Sequence, residues 1–123
     1  MRRFKLSDFE RVSGANPVKN KYHNVKVMVD GIKFDSKKES VRYGQLKLLK
    51  HGGVISEFQT QVKFQIQFEG IKICTYIADF VHFDMLGNRT IEDCKSEFTR
   101  KNPVYRLKKK MMKIINKLEI MEV

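Results

Sequence analysis

Between residues 62 and 77 the chain alternates apolar and polar side chains almost without interruption, a pattern no helix can use. Val62, Phe64, Ile66 and Phe68 share one side of an extended backbone, Glu69-Gly70 supplies a turn, and Ile71, Ile73, Thr75 and Ile77 resume the period. Successive side chains of a strand point to opposite faces, so the first run is a strand with one buried face. The second run continues through Asp79-Phe80-Val81 as its neighbour. A further turn signal at Leu86-Gly87-Asn88 leads into a third strand over 89–95. An antiparallel meander therefore occupies the centre of the chain.

The flanking segments carry their own punctuation. Val25, Val27 and Val29, then Asp30-Gly31, then Ile32 and Phe34 read as a small hairpin. Ser36-Lys37-Lys38-Glu39 is a capping box, in which a serine hydroxyl and a glutamate satisfy the first free amides of a helix. The helix continues through Val41, Tyr43, Leu46, Leu48 and Leu49 and stops at His51-Gly52-Gly53. Asn102-Pro103 starts a second helix as N-cap and first residue. Along it Val104, Leu107, Met111, Ile114 and Leu118 form an apolar stripe expected to face the sheet. Arg106, Lys109, Lys110, Lys113 and Lys117 form a basic stripe on the other side. Alternation from 118 to 123 suggests a last strand. The expected class is α/β (α+β), with the order hairpin, helix, three antiparallel strands, helix, strand. Residues 21–123 make one domain, preceded by a basic arm over 1–20 that contains the breaker cluster Ser13-Gly14-Ala15-Asn16-Pro17.

The formal charge is +11, and its placement matters more than its size. Six basic and two acidic residues lie in 1–23, and eight basic and no acidic residues in 100–117; the middle is nearly balanced. Such basic ends suit a polyanion, nucleic acid before an acidic membrane. An amphipathic basic helix can lie on a membrane, but its apolar stripe is needed by the sheet. No apolar run approaches the ~18–20 residues of a membrane span. Met1-Arg2-Arg3-Phe4-Lys5 lacks the apolar core of a secretory leader. Two cysteines, Cys74 and Cys94, make no disulfide framework and no four-cysteine zinc site. A reduced, cytoplasmic chain is expected.

Most of the acids lie in the balanced middle. Asp79 follows the apolar run Tyr76-Ile77-Ala78, an unusual place for a carboxylate. Asp93 and Lys95 are two apart and share a strand face, with Cys94 pointing the other way. Two carboxylates with intervening backbone carbonyls form an oxygen-rich site of the kind Mg²⁺ prefers, and a neighbouring lysine could stabilise charge on a phosphate. Glu39 would supply a third carboxylate. Each residue also has a plainer reading: Glu39 as a helix cap, Asp79 as a strand-end charge, Asp93 and Lys95 as a solvated face. Gln59 and Gln61 either touch substrate or belong to a polar strand face. Tyr43 reads as core. His23, His51 and His82 stand in separate contexts, so a zinc or histidine-nuclease site is rejected.

Glu39, Ala78-Asp79 and Asp93-Cys94-Lys95, taken in that order, resemble the motif of the PD-(D/E)xK nuclease superfamily, and the order of elements resembles its restriction-endonuclease-like core. The longer words around Val29–Glu39 and Tyr76-Ile77-Ala78-Asp79-Phe80 are similar to those of small phage-encoded nucleases akin to Holliday junction resolvases. The resemblance spans about residues 21–123, with Ala78 in the place of the nominal proline. It implies that Asp79, Asp93, the Cys94 backbone carbonyl and Glu39 hold Mg²⁺, with Mn²⁺ able to substitute, and that Lys95 is the catalytic lysine. A bulge could exchange Glu92 for Asp93. Arg2, Arg3, Lys5, Arg106, Lys109, Lys110, Lys113 and Lys117 would grip DNA phosphates without reading bases. The implied activity is cutting of branched DNA, four-way junctions in particular, in recombination or repair. Paired cuts in a symmetric junction call for a homodimer. The rival readings are a non-catalytic basic DNA-binding or architectural protein, and a general or sequence-specific endonuclease of the same fold.

Overall fold

A computed structural model describes residues 18–19 and 25–123. Arg2, Arg3, Lys5 and nearly all of the expected arm lie outside the described residues. The chain divides into two compact units, Met1–His51 and Gly52–Val123.

The N-terminal unit holds a three-stranded antiparallel sheet in the order β1 (Val18–Lys19), β2 (Val25–Val29), β3 (Ile32–Phe34). Two residues of the expected arm thus belong to the sheet. The β2–β3 turn is the Asp30-Gly31 pair, with φ of 53° and 76°; only two successive left-handed residues let so tight a turn follow the strand twist. Helix α1 (Lys37–His51) follows, and the Ser36 hydroxyl accepts the Glu39 amide at 3.1 Å, the cap expected from the sequence. Asp30 Oδ2 accepts from Tyr43 Oη at 3.0 Å and Lys47 Nζ at 2.6 Å, which ties the turn to the helix. The Lys47 ammonium holds the Asp30 carboxyl below the usual carboxylate range.

The C-terminal unit is a four-stranded sheet in the order β4 (Ile55–Phe68), β5 (Ile71–Asp84), β6 (Arg89–Asp93), β7 (Ile120–Glu122). β4, β5 and β6 form the antiparallel meander; β7 runs parallel to β6. A parallel neighbour requires a crossover, made here by α2 (Glu97–Arg100) and α3 (Pro103–Ile114). Asn102 caps α3 as its sequence position predicts, Oδ1 accepting the Val104 and Tyr105 amides at 2.9 and 3.1 Å. The class is mixed α+β with a mostly antiparallel sheet. No helix among the described residues is long and apolar enough to cross a membrane.

The expected buried stripe of the second helix requires correction. Met112 is fully buried and Tyr105 nearly so, whereas Val104, Leu107 and Ile114 are exposed. Tyr105 and Met112 join Ile66, Tyr76, Ala78, Val81, Ile91 and Ile120 in the core, with Met111, Ile115 and Leu118 packed at its margin. One residue of offset turns a helix by about 100°. The true face was disguised by Lys108, which lays its stem along the sheet and donates to the Thr75 carbonyl at 3.1 Å. The helix also stops at Ile114, so Lys117 is not on its basic stripe; it takes φ 59° as the Leu118 amide closes on Met112 O at 3.0 Å. On β5 the exposed apolar residues are Ile71, Ile73 and Ile77, and Tyr76 and Ala78 face the core. That choice follows from register: after the irregularity at Ile66/Gln67, Ile66 lies opposite Cys74. Phe68, at the hairpin tip, is exposed as well.

Candidate active site

Strict alternation along β5 fails at one place. Tyr76 and Ala78 face the core, and so does Val81, three residues after Ala78. The core-facing set therefore changes parity across Asp79-Phe80. On β4 Thr60 pairs with Phe80 and Val62 with Ala78, which leaves Gln61 across from Asp79 at a break in the pairing. Gln61 has φ 51°, in the left-handed region, which costs a non-glycine residue roughly 1–2 kcal/mol. Strain of this kind, held inside a long strand, re-aims the side chains around it.

Asp79 is one of the side chains re-aimed. Main-chain pairing between β5 and β6 ends at Phe80↔Glu92, and the next amide along, that of Cys94, donates to Asp79 Oδ2 at 2.8 Å. Extending the register puts Asp79 across from Asp93. On the other side of β6, the Val123 amide donates to Asp93 O at 3.0 Å and the Lys95 amide to Val123 O at 3.2 Å. The Asp93-Cys94-Lys95 segment is thus clamped between β5 and β7.

Asp93 is buried, with 2% of its surface exposed. Its Oδ2 accepts the Tyr76 hydroxyl, and its Oδ1 lies 3.1 Å from Lys95 Nζ. The same ammonium sits 4.4 Å from the centre of the Tyr105 ring, and the Tyr105 hydroxyl donates to Glu122 Oε2 at 2.6 Å. Burial, then the Asp93 charge, raises the Tyr76 pKa; burial, then the bond to Glu122, raises that of Tyr105. Both phenols therefore remain donors throughout the neutral range. The Tyr105 bond in turn holds the Glu122 carboxyl below its usual value. A cleft of about 410 Å³ opens beside Asp93 and Lys95, walled by Tyr76, Ile77, Asn102, Val104 and Lys108.

The structure brings Asp79, Asp93 and Lys95 together, in the face relationship read from the sequence. Glu92 is separated from them. It is fully buried, and its Oε2 lies 2.8 Å from His82 Nε2. No bulge interrupts the β5–β6 register beside it. Glu39 lies in the first turn of α1, in the other unit. Of the two glutamines, Gln61 carries the strained backbone opposite Asp79, while Gln59 pairs with Val81 in regular ladder. Arg106, Lys109, Lys110 and Lys113 lie along α3. Sequence reasoning gave no role in the site to Tyr76, Tyr105, Arg100 or Glu122. One signal was present for two of them: a tyrosine three residues before the first acid, and another in the first turn of the basic helix.

Among the described residues no three His, Cys, Asp or Glu side chains gather as a cage for a metal ion. Asp79 and Asp93 nevertheless offer two carboxylates at opposed strand positions. Mg²⁺ keeps several waters and takes one or two carboxylates plus substrate phosphate. The donor set suits that ion and does not suit a closed zinc cage.

The DUF1064 family, described as proteins of unknown function, matches residues 19–120, and the chain belongs to it. No curated protein matches the chain, and no solved structure does.

Proposed function

We propose that this chain is a metal-dependent DNA endonuclease with a restriction-endonuclease-like core of the PD-(D/E)xK type, acting on branched DNA. The observation that carries the reading is the clamp around β6: Asp79 bonded to the Cys94 amide, and Lys95 3.1 Å from the buried Asp93, at the open end of a three-stranded meander. Asp93 is not a solvated strand face: it is a buried carboxylate with a tyrosine and a lysine on its two oxygens. Burying a charge is costly enough, even when paired, that an apolar residue would serve the fold at least as well.

Asp79, Asp93 and the Cys94 carbonyl would hold Mg²⁺ or Mn²⁺. Bound there, the ion would lower the pKa of an attacking water and offset charge on the phosphate. Tyr76 positions the Asp93 carboxylate. Lys95, steadied on the Tyr105 ring, places a fixed positive charge beside the carboxylates, where a developing oxyanion benefits from it. Glu39 enters on the motif words alone. Lys and Arg side chains of α3 supply phosphate contacts without base readout. Symmetric cutting of a four-way junction calls for two copies of this site, hence a homodimer.

The test incubates the purified chain with a labelled four-way junction and with linear duplex, in Mg²⁺ or in EDTA. Metal-dependent cutting of the junction in preference to the duplex is the expected result. Equal cutting of both substrates favours a general endonuclease. Binding without metal-dependent cutting, at high protein concentration, favours an architectural protein and overturns the enzyme reading.

A further inference from the structure

On the far side of Tyr105 from the Asp93–Lys95 pair is a second cleft, of about 340 Å³, where Arg100, Arg106, Lys109, Lys110 and Lys113 surround a single carboxylate, Glu122. That carboxylate is already held as a bound anion would be. Its Oε2 accepts from Tyr105 at 2.6 Å and lies 3.3 Å from Lys109 Nζ, and its Oε1 lies 3.6 Å from Arg100 Nε. Lys113 turns outward to Glu119, at 3.4 Å. Arg106 and Lys110 have no acid partner among the described residues. With Lys113 paired to Glu119, four cations facing one carboxylate still repel one another unless an anion arrives, and donors arranged for carboxylate oxygens also serve phosphate oxygens.

We infer that this cleft is a phosphate subsite for the strand being cut, with Glu122 its resident competitor. The ligand is a backbone phosphodiester, held by Arg106 and Lys110 first and by Arg100 and Lys109 as they leave Glu122. Tyr105 belongs to both clefts, its ring under Lys95 and its hydroxyl on Glu122. A strand lying across Tyr105 would present one phosphate to the carboxylate pair and another to the cations. Choice of DNA as the ligand rests on the nuclease reading; the subsite itself rests on the charges.

Binding is read in EDTA, so that it is separated from cutting, as the fluorescence anisotropy of a labelled junction over a series of salt concentrations. Glu122→Gln keeps an acceptor for Tyr105 and removes the competing charge, and should tighten binding by roughly tenfold. Arg106→Ala with Lys110→Ala should weaken binding and flatten the slope of log K against log salt by about 1, at ~0.9 for the one phosphate no longer neutralised. Lys72→Ala, a basic residue on the meander away from this cleft, should leave both quantities as they were. An unchanged salt slope in the double variant, with its melting temperature intact, overturns the inference. So does unchanged or weaker binding by a folded Glu122→Gln chain. Displacement of the DNA by polyglutamate at equal charge concentration overturns it too, since the cleft would then answer to charge alone. A chain that shows the expected binding changes yet cuts nothing keeps the subsite and loses the nuclease.

Discussion

The Cys94 amide donates to Asp79 Oδ2 at 2.8 Å, one step beyond the last main-chain pair of β5 with β6. A side chain thus takes over the ladder where backbone pairing stops, and the same carboxylate is a proposed metal ligand. The two roles can be separated. Asp79→Asn keeps an oxygen for the Cys94 amide and loses the charge. We expect its melting temperature to stay near the wild-type value, its junction binding to persist in EDTA, and its cutting to fall by about a hundredfold or more. Full activity in this variant would remove Asp79 from the site.

Tyr76 and Asp93 make the second test. Tyr76→Phe leaves a buried carboxylate one donor short, at a cost of about 1–3 kcal/mol. Denaturant unfolding should show the loss. A variant as stable as the wild type would mean that Lys95 alone compensates the buried charge.

The three described tyrosines share one electrostatic feature: each donates to a carboxylate, Tyr43 to Asp30, Tyr76 to Asp93 and Tyr105 to Glu122. Burial and its bond to Asp30 push the Tyr43 hydroxyl up from 10.0 to about 12; Tyr76 and Tyr105 move the same way. A phenol whose folded pKa is raised adds stability that is whole below the unfolded value and is lost as pH rises through the folded one. For Tyr43 that window runs from about 10 to about 12. Tyrosinate absorbance should therefore appear late and in step with loss of circular dichroism. Three of the four tyrosines ionising near 10 in a still-folded chain would contradict these contacts.

Features governed by near neighbours were legible in the sequence. Asp30-Gly31 needs only two left-handed residues, Asn102 only the next two or three amides, and Ser36 only Glu39. The same holds for the Asp93–Lys95 pair, because two residues along a strand return to one face. What escaped depends on distant parts of the chain. Glu122 lies seventeen residues from the Tyr105 that binds it, on a segment whose alternation predicts a strand and nothing about its partner. The parity change at Asp79 has its counterpart on β4, at Gln61.

The buried face of α3 was misjudged for a related reason, and its correction can be measured. Met112 is fully buried and Leu107 is 57% exposed. Met112→Ala should cost about 2–5 kcal/mol of stability, whereas Leu107→Ser should change it by less than about 1 kcal/mol. The reverse order would restore the stripe read from Val104, Leu107 and Ile114.

Gln61 allows backbone and side chain to be tested against each other. Its φ of 51° is strained for glutamine and easy for glycine. If the residue serves only to break the strand, Gln61→Gly keeps the break, stabilises the fold by about 1 kcal/mol and leaves cutting intact. If the side chain also meets the substrate, the same variant gains stability and loses activity, the usual trade at a strained site. We expect the second outcome, since Gln61 occupies the register position across from Asp79, a proposed metal ligand. Cutting rates and unfolding midpoints measured on one preparation decide it: a stabilised variant with undiminished activity would leave Gln61 a purely conformational role.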